Sequence, residues 1–265
     1  MKNLILLASL VLMSSLNLFA QKEERNLDNF NAIENNTSVD LTISQGETQK
    51  VVVIAPEKYL HKIETKVSAG ALIIDVKGSL SYRNEEIYIE VTVANLREIN
   101  NNGSADIEVE GIFNAENLLL DMHGSGDLEA ELNVKNLEVK MYGSGDMEIS
   151  GVNGSLEIYQ MGSGDFEGES LHLGNIIVKM NGSGDCELNG TSAMMELSQN
   201  GSGDFDGRSF KVQTAKIRKT SSGEADVYIT DTLDARISGS GDLNINGKPE
   251  ITDFSVSGSG EIRTL

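Results

Sequence analysis

The chain has 265 residues, with 21 basic and 41 acidic side chains, so its formal charge at pH 7 is −20. This acidic balance argues against nucleic-acid binding, which needs a basic surface. The chain has no tryptophan, which argues against a sugar-binding site built on stacked aromatic rings. The length suits one large all-β domain or two smaller units.

Residues 1–20 have the pattern of a secretory signal peptide. Lys2 gives a positive start, residues 4–18 form a short apolar run, and Leu18-Phe19-Ala20 is a cleavage site before Gln21. The run is short for a membrane span, so we predict cleavage and no membrane span afterwards; an uncleaved anchor is the alternative. The mature protein is therefore expected in the periplasm, on the outer surface or in the medium.

Residues 21–31 are polar, and we predict a poorly ordered lead-in. Residues 32–102 follow as an N-terminal β segment. Apolar and polar residues alternate over 39–43, and further strands are predicted at 50–55, 63–67, 71–76 and 87–93. Ser68-Ala69-Gly70 joins the middle pair, and Pro56 opens a single helical turn. We expect this segment to begin the same β-structure as the rest and to cover its first coil.

The remaining residues, 103–265, contain a four-residue motif that recurs nine times. It reads Gly-Ser-Gly-Asp or a degenerate form of it, starting at Gly103, Gly124, Gly143, Gly162, Gly182, Gly201, Ser221, Gly239 and Gly258. Consecutive copies start 21, 19, 19, 20, 19, 20, 18 and 19 residues apart. A short, nearly fixed period is typical of a solenoid, in which each repeat is one supersecondary unit.

The flanks of the motif alternate with a period of two, which predicts strands with one buried face. Leu118, Leu120 and Met122 share one parity, whereas Asp121 and Glu129 have the other. The motif glycines fall on the inward parity, where a missing side chain allows a corner or close backbone approach. We predict an all-β fold, a β-helix or β-roll solenoid of about 19-residue coils after the N-terminal β segment. With about 4.8 Å between coils, nine coils give a rod about 40 Å long.

The order of the N-terminal strands, followed by Asn102-Gly103-Ser104-Ala105-Asp106, resembles the head GIN domain of putative autotransporter adhesins. The resemblance covers residues 29–243. It implies a β-solenoid-like fold in an exported protein of the Gram-negative cell envelope, and it carries over no catalytic residues.

Two columns of acidic residues are the main candidate for a functional site. The motif acids Asp127, Asp146, Asp165, Asp185 and Asp204 face outward, as do the acids two residues further on. Stacking brings like charges about 4.8 Å apart, at a cost of roughly 1 kcal/mol per pair in water. In one interpretation each Asp caps N–H groups of its own corner. In the other the column binds cations such as calcium, which take several carboxylate oxygens. No other cofactor is expected.

The remaining candidates favour structural roles. Cys186 occupies an inward position, so we predict a core residue rather than a nucleophile or ligand. His61, His123 and His172 share no metal-ligand spacing. Most of five phenylalanines are predicted to be core aromatics: Phe113, Phe166, Phe205, Phe210 and Phe254. The outward Tyr142 and Tyr159 are weak candidates for ligand contacts.

These observations favour a non-catalytic, adhesin-like binding protein of the cell envelope, whose surface or envelope ligand is a glycan or a protein. The acidic columns are repetitive and the basic residues scattered, so no pair of residues stands out as catalytic. The first alternative is a periplasmic structural or interaction protein. The second is a β-helical enzyme that acts on polysaccharides.

Overall fold

The structure, a computed structural model, describes residues 20–80 and 85–265. It is 65% strand and 2% helix, which confirms the predicted all-β class. The predicted signal peptide lies outside the described residues, apart from Ala20. Within the described ranges, no helix combines the length and apolar character that a membrane crossing needs.

The N-terminal β segment is built from short strands and one helical turn. Its elements are β1 (Gln21–Glu24), β2 (Ala32–Asn35), β3 (Asp40–Gln45), β4 (Lys50–Ala55), α1 (Glu57–Leu60), β5 (Ile63–Ser68), β6 (Ala71–Val76), β7 (Tyr88–Val93) and β8 (Glu98–Asn101). The helical turn follows Pro56, as predicted. β5 and β6 form an antiparallel hairpin through Ala69 and Gly70, whose φ values of 51° and 79° are typical of a two-residue hairpin turn.

The lead-in is more ordered than its polar composition suggests. β1 pairs antiparallel with β4, with Gln21 opposite Ala55 and Glu24 opposite Val52. Beyond β1, the N–H of Arg25 donates to the carbonyl of Val51 over 2.9 Å. The prediction of a poorly ordered lead-in is therefore wrong for these residues. Backbone pairing stabilises an edge strand whatever its side chains, and charged side chains are common on such edges.

The N-terminal β segment covers the first repeat coil, as predicted. β2 pairs parallel with β8, and β3 pairs parallel with the start of β9 (Ile107–Met122). Residues 32–45 thus form a coil of their own ahead of the first motif copy. β6 and β7 stack on β2 and β3, and the antiparallel β5, β4 and β1 complete this end of the rod.

The repeats form stacked parallel coils, which confirms the predicted solenoid. After β9 come β10 (Leu128–Met141), β11 (Met147–Gln160), β12 (Phe166–Met180), β13 (Cys186–Gln199), β14 (Phe205–Lys219), β15 (Ala225–Ile237), β16 (Leu243–Gly247), β17 (Glu250–Val256) and β18 (Ile262–Thr264). Matching motif positions stack in register, so that Leu128, Met147, Phe166 and Cys186 lie one above another. Each of β9 to β15 runs almost from one motif to the next and bends at register shifts.

The inward residues fill the rod. Phe113, Phe166, Phe205 and Phe210 are buried, as predicted, and so is Cys186. Burial raises the pKa of the Cys186 thiol far above its ordinary value, which agrees with a core role. Phe254 is the exception among the five, since it is 43% exposed. It lies in β17, where the structure shows no further coil to cover it.

Candidate functional site

The motif glycines allow the corners of successive coils to touch through their backbones. A Cβ on Gly143 would lie 1.6 Å from the carbonyl oxygen of Gly124, and a Cβ on Gly126 would lie 1.8 Å from that of Ala105. These distances are far shorter than any real contact, and they confirm the predicted close approach. The close backbone packing of the corners therefore fixes the positions of the residues around them.

The motif aspartates form a hydrogen-bonded ladder along the rod. The N–H of Asp146 donates to Oδ1 of Asp127 over 2.8 Å, and the N–H of Asp165 donates to Oδ1 of Asp146 over 2.8 Å. The same bond joins Asp106 to Asp40, Asp127 to Asp106, Asp185 to Asp165, Asp204 to Asp185, Glu224 to Asp204 and Glu261 to Asp242. Each Asp thus caps the next coil, whereas the capping interpretation placed the bond in its own corner.

The ladder depends on side-chain length. Glu224 takes the place of Asp in its copy and still donates its N–H to Asp204. Among the described hydrogen bonds, none joins the N–H of Asp242 to the longer carboxylate of Glu224. The motif therefore favours Asp because its carboxylate reaches the next N–H without an extra methylene.

A second column of acids runs beside the ladder, two residues further along each strand. It begins at Glu108 and continues through Glu129, Glu148, Glu167 and Glu187. Burial, with the charges of Glu148 and Glu187 as smaller causes, raises the pKa of Glu167. Next in the column comes Asp206, whose pKa is lowered because Arg208 donates hydrogen bonds to it. The uncompensated part of the column therefore ends near Glu187.

The two columns are the walls of a shallow groove of about 740 Å³ along the rod. Its lining includes eleven carboxylates and neither lysine nor arginine: Asp40, Asp106, Asp127, Asp146, Asp165, Asp185, Glu108, Glu129, Glu148, Glu167 and Glu187. Burial is the main cause that raises the pKa of Asp40, and the charge of Asp106 adds to it. A surface of this kind attracts cations and basic groups and repels anions.

The structure places four of the predicted cation-column residues, Asp127, Asp146, Asp165 and Asp185, in this groove, with Asp204 one coil further along the ladder. One oxygen of each carboxylate accepts the ladder bond, which leaves the other free. Within residues 20–80 and 85–265, no group of three or more His, Cys, Asp or Glu side chains has the arrangement of a metal centre. The calcium interpretation stays a prediction.

Among the three histidines and the two outward tyrosines, one pair is in contact. The His123 ring stacks on Tyr142, with 4.7 Å between ring centroids, and its Nε2 lies 2.9 Å from Asp121 Oδ1. His172 contacts the carbonyl of Ser170, and His61 is the residue after α1. Tyr159 donates to Glu157 and lies under the ammonium group of Lys179. Apart from the stacked pair His123 and Tyr142, the structure does not bring these residues together.

Sequence reasoning missed the first member of the ladder. Thr37-Ser38-Val39-Asp40 occupies the same corner as Gly103-Ser104-Ala105-Asp106, because Asp106 donates its N–H to Asp40 over 3.0 Å. The signal was present in the sequence: Val-Asp-Leu-Thr-Ile over 39–43 aligns with Ala-Asp-Ile-Glu-Val over 105–109. The missing glycines concealed it.

A set of polar residues inside the corners was also missed. Nε2 of Gln160 donates to the carbonyls of Gly164 (2.7 Å) and Asp185 (2.9 Å), and Gln199 repeats this with Gly203 and Glu224. The buried Lys219 takes the equivalent place and donates to Ser221 Oγ over 2.5 Å. Burial lowers the pKa of Lys219. These side chains close the corners from within and do not reach the groove.

Comparison with known proteins places the chain among relatives of one fold. The family model described as "Putative auto-transporter adhesin, head GIN domain" matches residues 29–176 and 152–249. None of the curated proteins matches the chain. A "putative lipid binding protein" from Parabacteroides distasonis is 25% identical, with a TM-score of 0.66 over 94% of this chain and 98% of that one.

Two further solved structures are described as putative adhesins. The one from Parabacteroides distasonis is 18% identical, with a TM-score of 0.64 over 93% of this chain and 97% of that one. The one from Parabacteroides merdae is 20% identical, with a TM-score of 0.61 over 94% of this chain and 97% of that one. At this identity the likeness concerns the fold.

Proposed function

Because this chain belongs to the family of putative auto-transporter adhesins with a head GIN domain, we propose that it is an exported, adhesin-like binding protein without catalytic activity. The observation that carries the proposal is the family match, which extends over residues 29–249. A rod of stacked coils suits such a role, since it repeats the same side chains at a regular spacing along one face. The ligand would be a glycan or a protein on a surface or in the envelope.

The chemistry of the rod supports binding rather than catalysis. A carboxylate pair that hydrolyses glycosides needs one acid and one base whose environments differ. Along the groove each coil repeats the same Asp and Glu, and each Asp oxygen Oδ1 from Asp40 to Asp204 holds the N–H of the next coil. Repetition of this kind gives many equivalent weak contacts, which add up when the ligand is itself repetitive.

A lipid ligand, which the description of one structural neighbour suggests for that protein, fits this chain less well. Side chains such as Phe166, Phe205 and Phe210 fill the interior and are fully buried. The groove on the outside is lined by carboxylates. An acyl chain would have to displace a packed core or lie against charged groups, and both are costly.

The first experiment tests whether the protein lies on the cell surface or in the periplasm. Intact cells that produce the chain are treated with a membrane-impermeant amine label and with a protease. Labelling of the chain without lysis is the expected result. Protection until the outer membrane is opened would overturn the adhesin role and favour the periplasmic structural or interaction protein.

The second experiment asks what the protein binds. Residues 21–265 are applied to a glycan array and to immobilised envelope and surface proteins, and are incubated with acidic polysaccharides. Saturable binding without chain cleavage is expected. Two variants test whether the ligand binds in the groove or on another face. The groove variant is Glu129→Gln/Glu148→Gln/Glu167→Gln, and the control is Glu116→Gln/Glu196→Gln/Glu250→Gln. Cleavage of a polysaccharide would overturn the non-catalytic assignment.

A further inference from the structure

The two ends of the rod are covered differently. At the N-terminal end, the antiparallel strands β1, β4 and β5 lie over the stacked coils. At the other end, β16 and β17 pair with β15, and β18 pairs with β16 alone. In the part of the chain that the structure describes, no strand pairs with the outer edge of β17.

The uncovered strand exposes residues that every other coil buries. In register with β17, Leu233, Ala235 and Ile237 of β15 are buried, whereas their counterparts Ile251, Phe254 and Val256 are exposed by 52%, 43% and 43%. An unpaired strand edge and an apolar patch therefore lie side by side. Together they form the same kind of surface through which each inner coil binds its neighbour, and unpaired edges readily accept another strand.

We infer that this surface, the β17 edge with Ile251, Phe254 and Val256, binds a second copy of the chain, so that two rods meet end to end. A two-fold axis perpendicular both to the rods and to β17 reverses the strand direction, and the two β17 edges then pair antiparallel. The inference is independent of the proposed function.

The charge distribution favours this contact over others between two copies. Residues 246–265 contain two basic and three acidic side chains, whereas the whole chain has 21 and 41. Within this end, Arg236 lies 2.6 Å from Asp253 and Arg263 lies 3.0 Å from Asp242. Two rods side by side would bring acidic faces together, but two rods end to end bring together nearly neutral surfaces.

The covered N-terminal end explains why the assembly stops at two. A filament requires the β17 surface of one rod to fit the opposite end of the next. That end presents two edge strands, β1 and β5. Both carry paired charges: Lys22 and Glu24 of β1 pair with Glu90 and Lys50, and Lys66 of β5 pairs with Asp75. An end that fits only its own copy gives a closed dimer.

The test compares the mass of the protein in solution with that of two matched variants. Sedimentation velocity of residues 21–265, over about 1–100 µM, is expected to give a concentration-dependent dimer. Phe254→Lys places a charge in the interface and is expected to weaken dimerisation at least about tenfold. Met194→Lys alters an apolar residue in the middle of the rod that is 54% exposed, somewhat more than Phe254, and is expected to leave the dimer intact. The thermal midpoint of each variant shows that it is folded.

A cross-link tests the contact with the native apolar residues in place. Ser255→Cys adds a thiol on β17, whereas the native Cys186 is buried. A flexible bis-maleimide is expected to join two Ser255→Cys chains, and not two chains of the mid-rod control Ser202→Cys. A monomer at every concentration, or a dimer that Phe254→Lys leaves unchanged, would overturn the inference. So would cross-linking of both cysteine variants alike.

Discussion

The backbone N–H of Asp146 donates a 2.8 Å hydrogen bond to Oδ1 of Asp127, its counterpart one coil earlier. The bond is charge-assisted, and such bonds are stronger than neutral ones. It offsets part of the repulsion that stacked carboxylates create. The motif Asp thus accepts a hydrogen bond that joins two coils, and its charge at the same time repels the neighbouring carboxylates of the column.

Replacing Asp146 separates these two effects. Asp146→Asn keeps an acceptor at the position of Oδ1 and removes a charge, so we expect equal or greater thermal stability. Asp146→Ala leaves the N–H of Asp165 without its partner and is expected to cost about 0.5–1.5 kcal/mol. Chemical denaturation of both variants measures the difference. Equal stability of the Ala and Asn variants would show that the ladder bond contributes nothing.

A second prediction concerns the motif glycines. A Cβ on Gly164 would lie 1.9 Å from the carbonyl oxygen of Gly145, so Gly164→Val should destabilise the rod by about 3 kcal/mol or more. Gly174 is the matched control, because its Cβ would meet nothing closer than 3.7 Å. Gly174→Ala is expected to leave the thermal midpoint nearly unchanged. If the two variants melt alike, backbone contact between corners is not what the glycine provides.

Much of the fold could be predicted from the sequence because the repeats combine two signals. The period of the motif gives the coil length, and the alternation around Leu118, Leu120 and Met122 gives the buried face. Stacked coils repeat their contacts, so one correct repeat predicts the others. The corner at Thr37-Ser38-Val39-Asp40 was missed because its backbone takes the same path without glycine.

The features that differ from the sequence-based predictions share a physical cause. Each depends on contacts between residues that are distant in the sequence. β1 forms because the edge of β4 is free to pair, and Phe254 is exposed because the structure shows no coil over β17. Its counterparts in the two preceding coils, Ala235 and Ile217, are covered on both sides and buried. The acidic columns were predicted as columns, but the bond from each Asp to the next coil depends on the stacking geometry.

A third prediction uses the register of the coils. Leu137 of β10 stacks on Leu156 of β11, so deletion of residues 137–155 joins Asn136 to Leu156 in phase. The shorter rod is expected to fold, because each coil contacts mainly its neighbours. Deletion of residues 137–146 is the control: it removes about half a coil together with its Gly-Ser-Gly-Asp corner, so the remaining strands cannot stack in register and the protein should not fold. Circular dichroism and thermal melts compare the two. Failure of both to fold would contradict a modular rod.

A fourth prediction concerns pH. Burial and the charges of Glu148 and Glu187 raise the folded-state pKa of Glu167 above its ordinary value of 4.5, so its ionisation reduces stability as pH rises through this range. Glu167→Gln should therefore stabilise the protein at pH 7, and this gain should vanish below about pH 4.

The contribution of Asp234 to stability has the opposite pH dependence. Arg218 donates to it over 3.0 Å and 2.8 Å and lowers its pKa below the ordinary 3.8. Its contribution is present above that value and is lost as the pH falls through the lowered pKa. Asp234→Asn should destabilise the protein at pH 7 and become neutral in acid. Denaturation midpoints between pH 3 and 8 test both variants. A gain from Glu167→Gln that is constant over this range would rule out the titration as its cause.

The last prediction decides between a cation site and diffuse screening on the acidic columns. The like charges of Asp127, Asp146 and Asp165 repel one another, so any salt should raise the thermal midpoint at neutral pH. Each Asp has one oxygen in the ladder, and calcium requires six to eight oxygen ligands. We therefore expect millimolar calcium to raise the midpoint no further than sodium chloride of the same ionic strength. A larger rise with calcium that is lost in Asp146→Asn/Asp165→Asn would contradict this, because only a site formed in the folded state converts binding into stability in that way.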